Sequence, residues 1–260
     1  MNEATGAASG LPDAVQNVAS AVASALAGGG NRSSTPGAGA APAGGPSTPG
    51  AGAAPVGPAA VPGSLAAATG RAPDDPVLVA CVRVLGADAL APALLHGTPP
   101  DPDDVALAAA ARDAYPPGAD ATAATAWSHW GLDAALRALT GDGVPATAPD
   151  AEWTAGEPWP RLAFRMSQLA SLALPGVDSA LATAAAKRPV DLGRGFVRAV
   201  RRRDWAQAAG LGRWLALVPG VPPTLGLASG LAFVHHLGGM ADARVALNVR
   251  AAQTLLGSAG

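Results

Sequence analysis

The chain has 260 residues, including 33 glycines and 25 prolines, and a formal net charge of −2. Glycine and proline concentrate before residue 73, which indicates one low-complexity segment and one folded domain rather than two domains. The single cysteine, Cys81, excludes an internal disulfide, so we expect a reducing, cytoplasmic location.

The sequence predicts neither a signal peptide nor a transmembrane helix. The N-terminus lacks the basic region of a signal peptide. The longest uncharged apolar stretch covers residues 214–234, and it is interrupted by glycine and three prolines at 219–223. Because a membrane helix needs about 20 continuous apolar residues, this stretch favours two buried helices joined by a turn.

The amino-acid usage predicts an all-α fold. Isoleucine is absent and arginine outnumbers lysine by 16 to 1. This pattern is typical of the codon usage of a GC-rich genome, and we expect the genome to be bacterial. Residues that favour strands are scarce, whereas helix formers are abundant. The predicted organisation is a docking segment at 1–30, a disordered Gly/Pro/Ala linker at 31–72, and a domain of stacked antiparallel helical hairpins at 73–260.

The N-terminal segment contains a stripe of apolar residues that predicts a short amphipathic helix over 11–27. The stripe consists of Leu11, Val15, Val18, Val22 and Leu26. A helix of this length is marginally stable in water on its own. We therefore expect either a weakly helical tail or a docking peptide that presents Val15, Val18 and Val22 to the groove of a partner.

Residues 31–72 have the composition of a linker. The segment Ser34–Pro42 recurs as Ser47–Pro55, at an offset of 13 residues. Such a composition buries too little apolar surface to offset the entropy lost on ordering. A flexible coil of this length has a mean reach of about 35 Å.

Proline and glycine divide the domain into predicted helices. The acidic half, 73–157, contains helices predicted at 76–85, 88–95, 101–115 and 121–140, of which the third is capped by Asp101 and the fourth ends at Gly141. The basic half, 158–260, contains helices predicted at 160–174, 177–187, 190–202, 204–218, 223–237 and 240–256. Because the breaks are short, successive helices are expected to be antiparallel.

Two tight turns in the basic half share a pattern of side chains. Trp205 and Ala208 follow the first turn, and Met240 and Ala243 follow the second, at an offset of 35 residues. A large residue followed three positions later by alanine resembles the start of the second helix in a tetratricopeptide-type repeat. The resemblance covers residues 190–256 and implies that the large side chain packs on the preceding helix.

Charge is distributed unequally along the chain. Residues 1–160 hold 15 acids and 5 bases, whereas residues 161–260 hold 4 acids and 12 bases. On the helix predicted at 190–202, a single face carries Arg194, Arg198, Arg201 and Arg202. This face indicates either a solvated surface or a site for an acidic protein surface, nucleic acid or an anionic membrane. Few aromatic residues lie nearby for base stacking, which favours an acidic protein surface, this chain's own acidic half included.

No group of residues has the spacing of a catalytic or metal-binding motif, so the sequence predicts no cofactor and no metal. The favoured function is a non-catalytic protein–protein interaction module, an adaptor or cargo-type component of a larger assembly. One alternative is an all-helical enzyme with a pocket near His129, close to Asp133. The other alternative is nucleic-acid binding through the Arg194–Arg203 face. The sequence does not specify an oligomeric state.

Overall fold

A computed structural model describes residues 3–29 and 63–258, with the side chains of the first range described from residue 10. Every regular element within these two ranges is helical, which confirms the predicted all-α fold class. The predicted linker up to residue 62 lies outside the described residues.

The first group of helices contains the N-terminal helix and the acidic half of the domain. Its helices are α1 (Glu3–Gly29), α2 (Leu65–Thr69), α3 (Pro76–Leu85), α4 (Ala91–His96), α5 (Pro102–Ala114) and α6 (Ala123–Thr140). A 3-10 segment, Gly86–Leu90, joins α3 to α4.

The second group follows the irregular connection after α6. Its helices are α7 (Trp153–Gly156), α8 (Trp159–Gln168), α9 (Ala180–Lys187), α10 (Pro189–Arg201), α11 (Trp205–Leu217), α12 (Leu227–Val234) and α13 (Ala243–Ser258). A π-helical turn, His235–Gly239, follows α12 directly.

Short polar side chains start the helices where the sequence places them. The Asp101 carboxylate accepts the Asp103 N–H at 2.9 Å at the start of α5, and Asp204 accepts the Gln207 N–H at 3.1 Å at the start of α11. Helix α6 ends at Gly141, whose φ of 73° lies in the left-handed region that glycine adopts at low cost. These contacts satisfy N–H groups that a helix terminus otherwise leaves without a partner.

Helix α11 lies at the centre of the domain and contacts α8, α10, α12 and α13. Trp214 is fully buried, and its indole N–H donates to the Met166 carbonyl oxygen at 2.8 Å. Arg213 is also fully buried and donates to the Asp88 carboxylate in the 3-10 segment. A buried ion pair thus links α11 to the acidic half, within an apolar core that both halves share.

The N-terminal helix α1 forms part of the domain core. It packs against α3, α4 and α13, and Val15, Val18 and Val22 are only 7%, 1% and 0% exposed. The Gln16 side chain accepts the Ala243 N–H at 2.8 Å, where α13 begins. The prediction that this segment docks on a partner is therefore corrected. The apolar face of α1 occupies a groove of the same chain, where burial of the valines stabilises the fold.

Helix α2 shows that the folded part begins earlier than the predicted boundary at residue 73. Ser64 caps this helix by accepting the Ala67 N–H at 3.3 Å. The Leu65 N–H donates to the Asp104 carboxylate at 2.7 Å, and Leu65 and Ala66 are buried. The sequence suggested a linker here because alanine, glycine and proline dominate, yet two buried side chains and one distant carboxylate hold this helix in place.

Two further expectations differ from the structure in detail. Helix α1 begins at Glu3 and continues through Pro12, so it is longer than the predicted 11–27. Met240 is 83% exposed, because it lies in the turn before α13 rather than inside that helix. The expectation that Met240 covers the preceding helix is therefore wrong, whereas Trp205 packs directly against Gly238.

One helical stretch is long and apolar enough to cross a membrane by length and composition. This stretch, Pro76–His96, comprises 21 residues, and 56% of its tested window is buried inside the fold. A core helix passes the same test, so the stretch by itself does not indicate a membrane span.

Candidate functional site

Helix α10 separates a buried apolar face from an exposed basic face. Leu192, Phe196 and Ala199 recur at spacings of three and four and face the core. The intervening positions place arginines on the exposed side, where their long side chains reach solvent.

The exposed side of α10 forms one wall of a groove of about 830 Å³, which we call the basic groove. Trp159, at the start of α8, and the segment Pro222–Leu225 form the other walls. The arginines that line the groove are Arg194, Arg198, Arg201 and Arg202. The four arginines that the sequence placed on one face therefore lie around a single concave surface.

Apolar side chains form the rest of the basic groove. Val190 is 51% exposed and Val197 is 44% exposed, although both belong to a helix that packs on the core. The Arg198 guanidinium lies 5.7 Å from the centre of the Trp159 ring, within cation–π distance. The surface thus offers both apolar contact area and positive charge.

Three of the four groove arginines are not neutralised by the described part of the chain. Asp191 forms ion pairs with Arg188 at 2.7 Å and with Arg194 at 3.4 Å. Among the side chains that the structure describes, at residues 10–29 and 63–258, no carboxylate lies within ion-pair distance of Arg198, Arg201 or Arg202. The chain's acidic half meets its basic half elsewhere, for example where Arg165 pairs with Glu157 at 3.1 Å.

His129 and Asp133 have partners that are structural in character. The His129 Nε2 lies 3.2 Å from the Arg112 carbonyl oxygen. Asp133 pairs with Arg112 at 3.3 Å and with Arg137 at 3.0 Å. His129 does not line the basic groove. Across the described ranges, no three His, Cys, Asp or Glu side chains are grouped to hold a metal ion.

The structure also identifies groove residues that the sequence did not single out as partner-binding. Val190 and Val197 are seven positions apart and lie on the same side of α10 as Arg194 and Arg201, so helical spacing predicts their position. Trp159 lies in an irregular stretch of the sequence whose pattern gives no sign of its position in the groove. Leu225 reaches the groove from a turn more than twenty residues beyond α10, and no spacing in the sequence indicates that contact.

The residues that line the basic groove include no nucleophile–base pair and no metal cluster. Their exposed cations and apolar side chains have the chemistry of a binding surface.

Comparison of the chain with protein-family models, with curated proteins and with solved structures finds no match.

Proposed function

We propose that this protein is a non-catalytic interaction module that binds an acidic, partly apolar segment of a partner protein in the basic groove. The observation that supports the proposal is the combination of three unneutralised arginines with two half-exposed valines on one concave surface. Exposed valines are not expected on a helix face that contacts only solvent, and a partly exposed Trp159 is not expected on a surface that binds by charge alone.

The chemistry of the groove favours an acidic amphipathic peptide as its occupant. Apolar side chains of such a peptide would contact Val190, Val197 and Trp159, while its carboxylates would pair with the guanidinium groups. The segment 30–62 of the same chain contains no aspartate or glutamate, so it cannot supply those carboxylates. We therefore place the acidic segment on another protein.

An interaction role in a larger assembly, as an adaptor or cargo-type component in the cytoplasm, is the biological setting that we propose. The tetratricopeptide-like arrangement over 190–256 belongs to the same proposal. It is supported by pairwise contacts of α10 with α11 and of α12 with α13, as expected for helical hairpins.

The proposal is tested on the full chain with a synthetic peptide as the probe. The peptide carries leucine at helical spacing on one face and glutamate on the other, and binding is measured by fluorescence anisotropy. We expect the triple variant Arg198→Glu, Arg201→Glu, Arg202→Glu to bind this peptide at least ten-fold more weakly. Wild-type binding should weaken as salt increases, because exposed charges are screened.

A matched triple variant controls for net charge. Lys187, Arg161 and Arg244 are exposed cations outside the basic groove, and their replacement by glutamate changes the net charge equally. If this variant loses as much affinity as the groove variant, the groove is not the site. If a single-stranded DNA oligonucleotide binds the groove more tightly than the peptide and displaces it, the Arg194–Arg203 face serves nucleic acid instead.

Point variants are a sharper test than a truncation of residues 1–72. Such a truncation removes α1 and α2, whose apolar side chains are buried in the core. Loss of binding in the truncated chain would therefore report unfolding rather than a lost docking peptide.

A further inference from the structure

A second groove, of about 450 Å³, lies between α1 and the C-terminal end of the chain. Helix α1 contributes polar side chains from one strip along its length, at positions 16, 17, 20 and 24. The opposite wall comes from α13 and from the π-helical turn, and it carries His235 and Arg250. We call this the α1/α13 groove.

The α1/α13 groove has a positive and hydrogen-bonding character. Arg250 is half-buried and makes no ion pair with any carboxylate in the part of the chain that the structure describes. Burial lowers the pKa of His235, and the positive charges of Arg250 and His236 lower it further. Asn17, Ser20 and Ser24 add one amide and two hydroxyl groups, which can all donate hydrogen bonds.

One polar atom in this groove lacks the partner that a buried group usually has. The His235 Nδ1 is shielded from solvent, and no hydrogen-bond partner lies within reach among the described residues. Its ring belongs to the π-helical turn, an irregularity that is frequent at functional sites. The nearby Asp242 carboxylate is already engaged, since it accepts the Gln16 side-chain amide at 3.2 Å and the Arg244 N–H at 2.8 Å.

We infer that the α1/α13 groove binds a small organic anion that carries a carboxylate or phosphate group. Arg250 supplies the charge for the anionic group, and the side chains of α1 supply hydrogen bonds to the rest of the molecule. The volume of the groove falls within the range of small-molecule sites and is larger than the volume of an inorganic ion.

Such a ligand would also couple to the docking of α1. Its contacts would join α1 to α13, so it binds the docked arrangement and stabilises that arrangement by mass action. This inference is independent of the basic groove, which lies on α10 and shares no lining residue with the α1/α13 groove.

The test uses the full chain with citrate, glucose 6-phosphate and inorganic phosphate as probes, each compared with sodium chloride at equal ionic strength. We expect at least one organic anion to raise the melting temperature saturably and to slow hydrogen exchange in α1. Arg250→Gln should weaken that binding at least ten-fold. Arg244→Gln removes the same charge from the same helix outside the groove and should leave binding unchanged.

A second variant keeps the inference testable if Arg250→Gln folds poorly. Ser24→Asp places a carboxylate at the exposed edge of the groove and leaves the buried face of α1 intact, so anion binding should be lost while the circular dichroism spectrum is retained. The inference fails if no anion exceeds the sodium chloride control, or if Arg244→Gln weakens binding as much as Arg250→Gln. It also fails if the Arg198, Arg201 and Arg202 charge reversals abolish anion binding, since the ion would then occupy the basic groove.

Discussion

Two carboxylates near the start of α5 make hydrogen bonds of very different range along the chain. Asp101 caps its own helix two residues away, and that role follows from its position before Pro102. Asp104 accepts the N–H of Leu65, which is 39 residues away. No local pattern indicates the second contact, because residues 63–72 resemble a linker in composition.

Asp104 gives a prediction about the pH dependence of stability. Burial is the main cause that raises the pKa of this carboxyl to about 6, and the negative charges of Asp101 and Asp103 also raise it. The hydrogen bond from the Leu65 N–H acts in the opposite direction and lowers the pKa. The folded state therefore binds the proton more tightly than the unfolded state. The stabilisation that comes from protonated Asp104 is fully present below about pH 4 and is lost as the pH rises through about 6.

Asp104→Asn tests this pH dependence, because asparagine keeps an oxygen for the Leu65 N–H and carries no charge. At pH 7.5 we expect the variant to gain about 1 kcal/mol over the wild type, less than the full linkage value because water reaches this half-buried side chain. The gain should shrink as the pH falls to 4.5, as measured by urea denaturation at several pH values. Asp103→Asn removes an exposed charge from the same turn, and if it gives the same profile, burial of Asp104 is not the cause.

At the scale of helices, proline and glycine predicted most helix boundaries to within a few residues, but α8 ends at Gln168 and not at the predicted residue 174. The packing role of each glycine could be read only from the structure. Glycines occupy positions 193 and 195 in α10 and positions 210 and 212 in α11. A side chain at Gly195 would meet the Ala163 Cβ at 2.4 Å, and one at Gly212 would meet Leu231 at 2.5 Å. At Gly193 the nearest atom is 3.7 Å away, so this position has room for a methyl group.

This difference gives a matched pair of alanine substitutions in two helices of 13 residues. A Cβ at Gly210 would lie 2.6 Å from the Ser167 carbonyl oxygen, a backbone atom that cannot rotate away. We expect Gly210→Ala to lose about 1–3 kcal/mol of unfolding free energy through overpacking. Gly193→Ala should gain about 0.5–1 kcal/mol, because alanine favours the helix and fits the space. Equal effects of the two changes in urea denaturation would contradict this role for Gly210.

At the scale of the whole molecule, the contacts that join distant segments explain why the sequence prediction was incomplete. The amphipathic stripe of α1 predicted that Val15, Val18 and Val22 need a groove, but the groove is formed by α3, α4 and α13 of the same chain. Helical periodicity specifies that a face is apolar and not which surface covers it. The basic groove is similar, because spacing on α10 places its arginines while Trp159 and Leu225 arrive through tertiary packing.

The buried pair of Arg213 and Asp88 gives a prediction for the whole fold, since it links α11 to the 3-10 segment between α3 and α4. The Arg213 guanidinium also donates to the Ala173 carbonyl oxygen at 3.1 Å and to the Asn248 side chain at 3.2 Å. Arg213→Met leaves Asp88 buried without its cation and should cost about 3–5 kcal/mol in urea denaturation. The double change with Asp88→Ala should recover part of that loss, because no charge is then left unpaired.

Arg71→Met is the control: it breaks the more exposed pair with Asp75 and should cost less than about 1 kcal/mol. If Arg213→Met costs no more than Arg71→Met, or if the effects of Arg213→Met and Asp88→Ala simply add, the buried pair does not hold the two halves of the domain together.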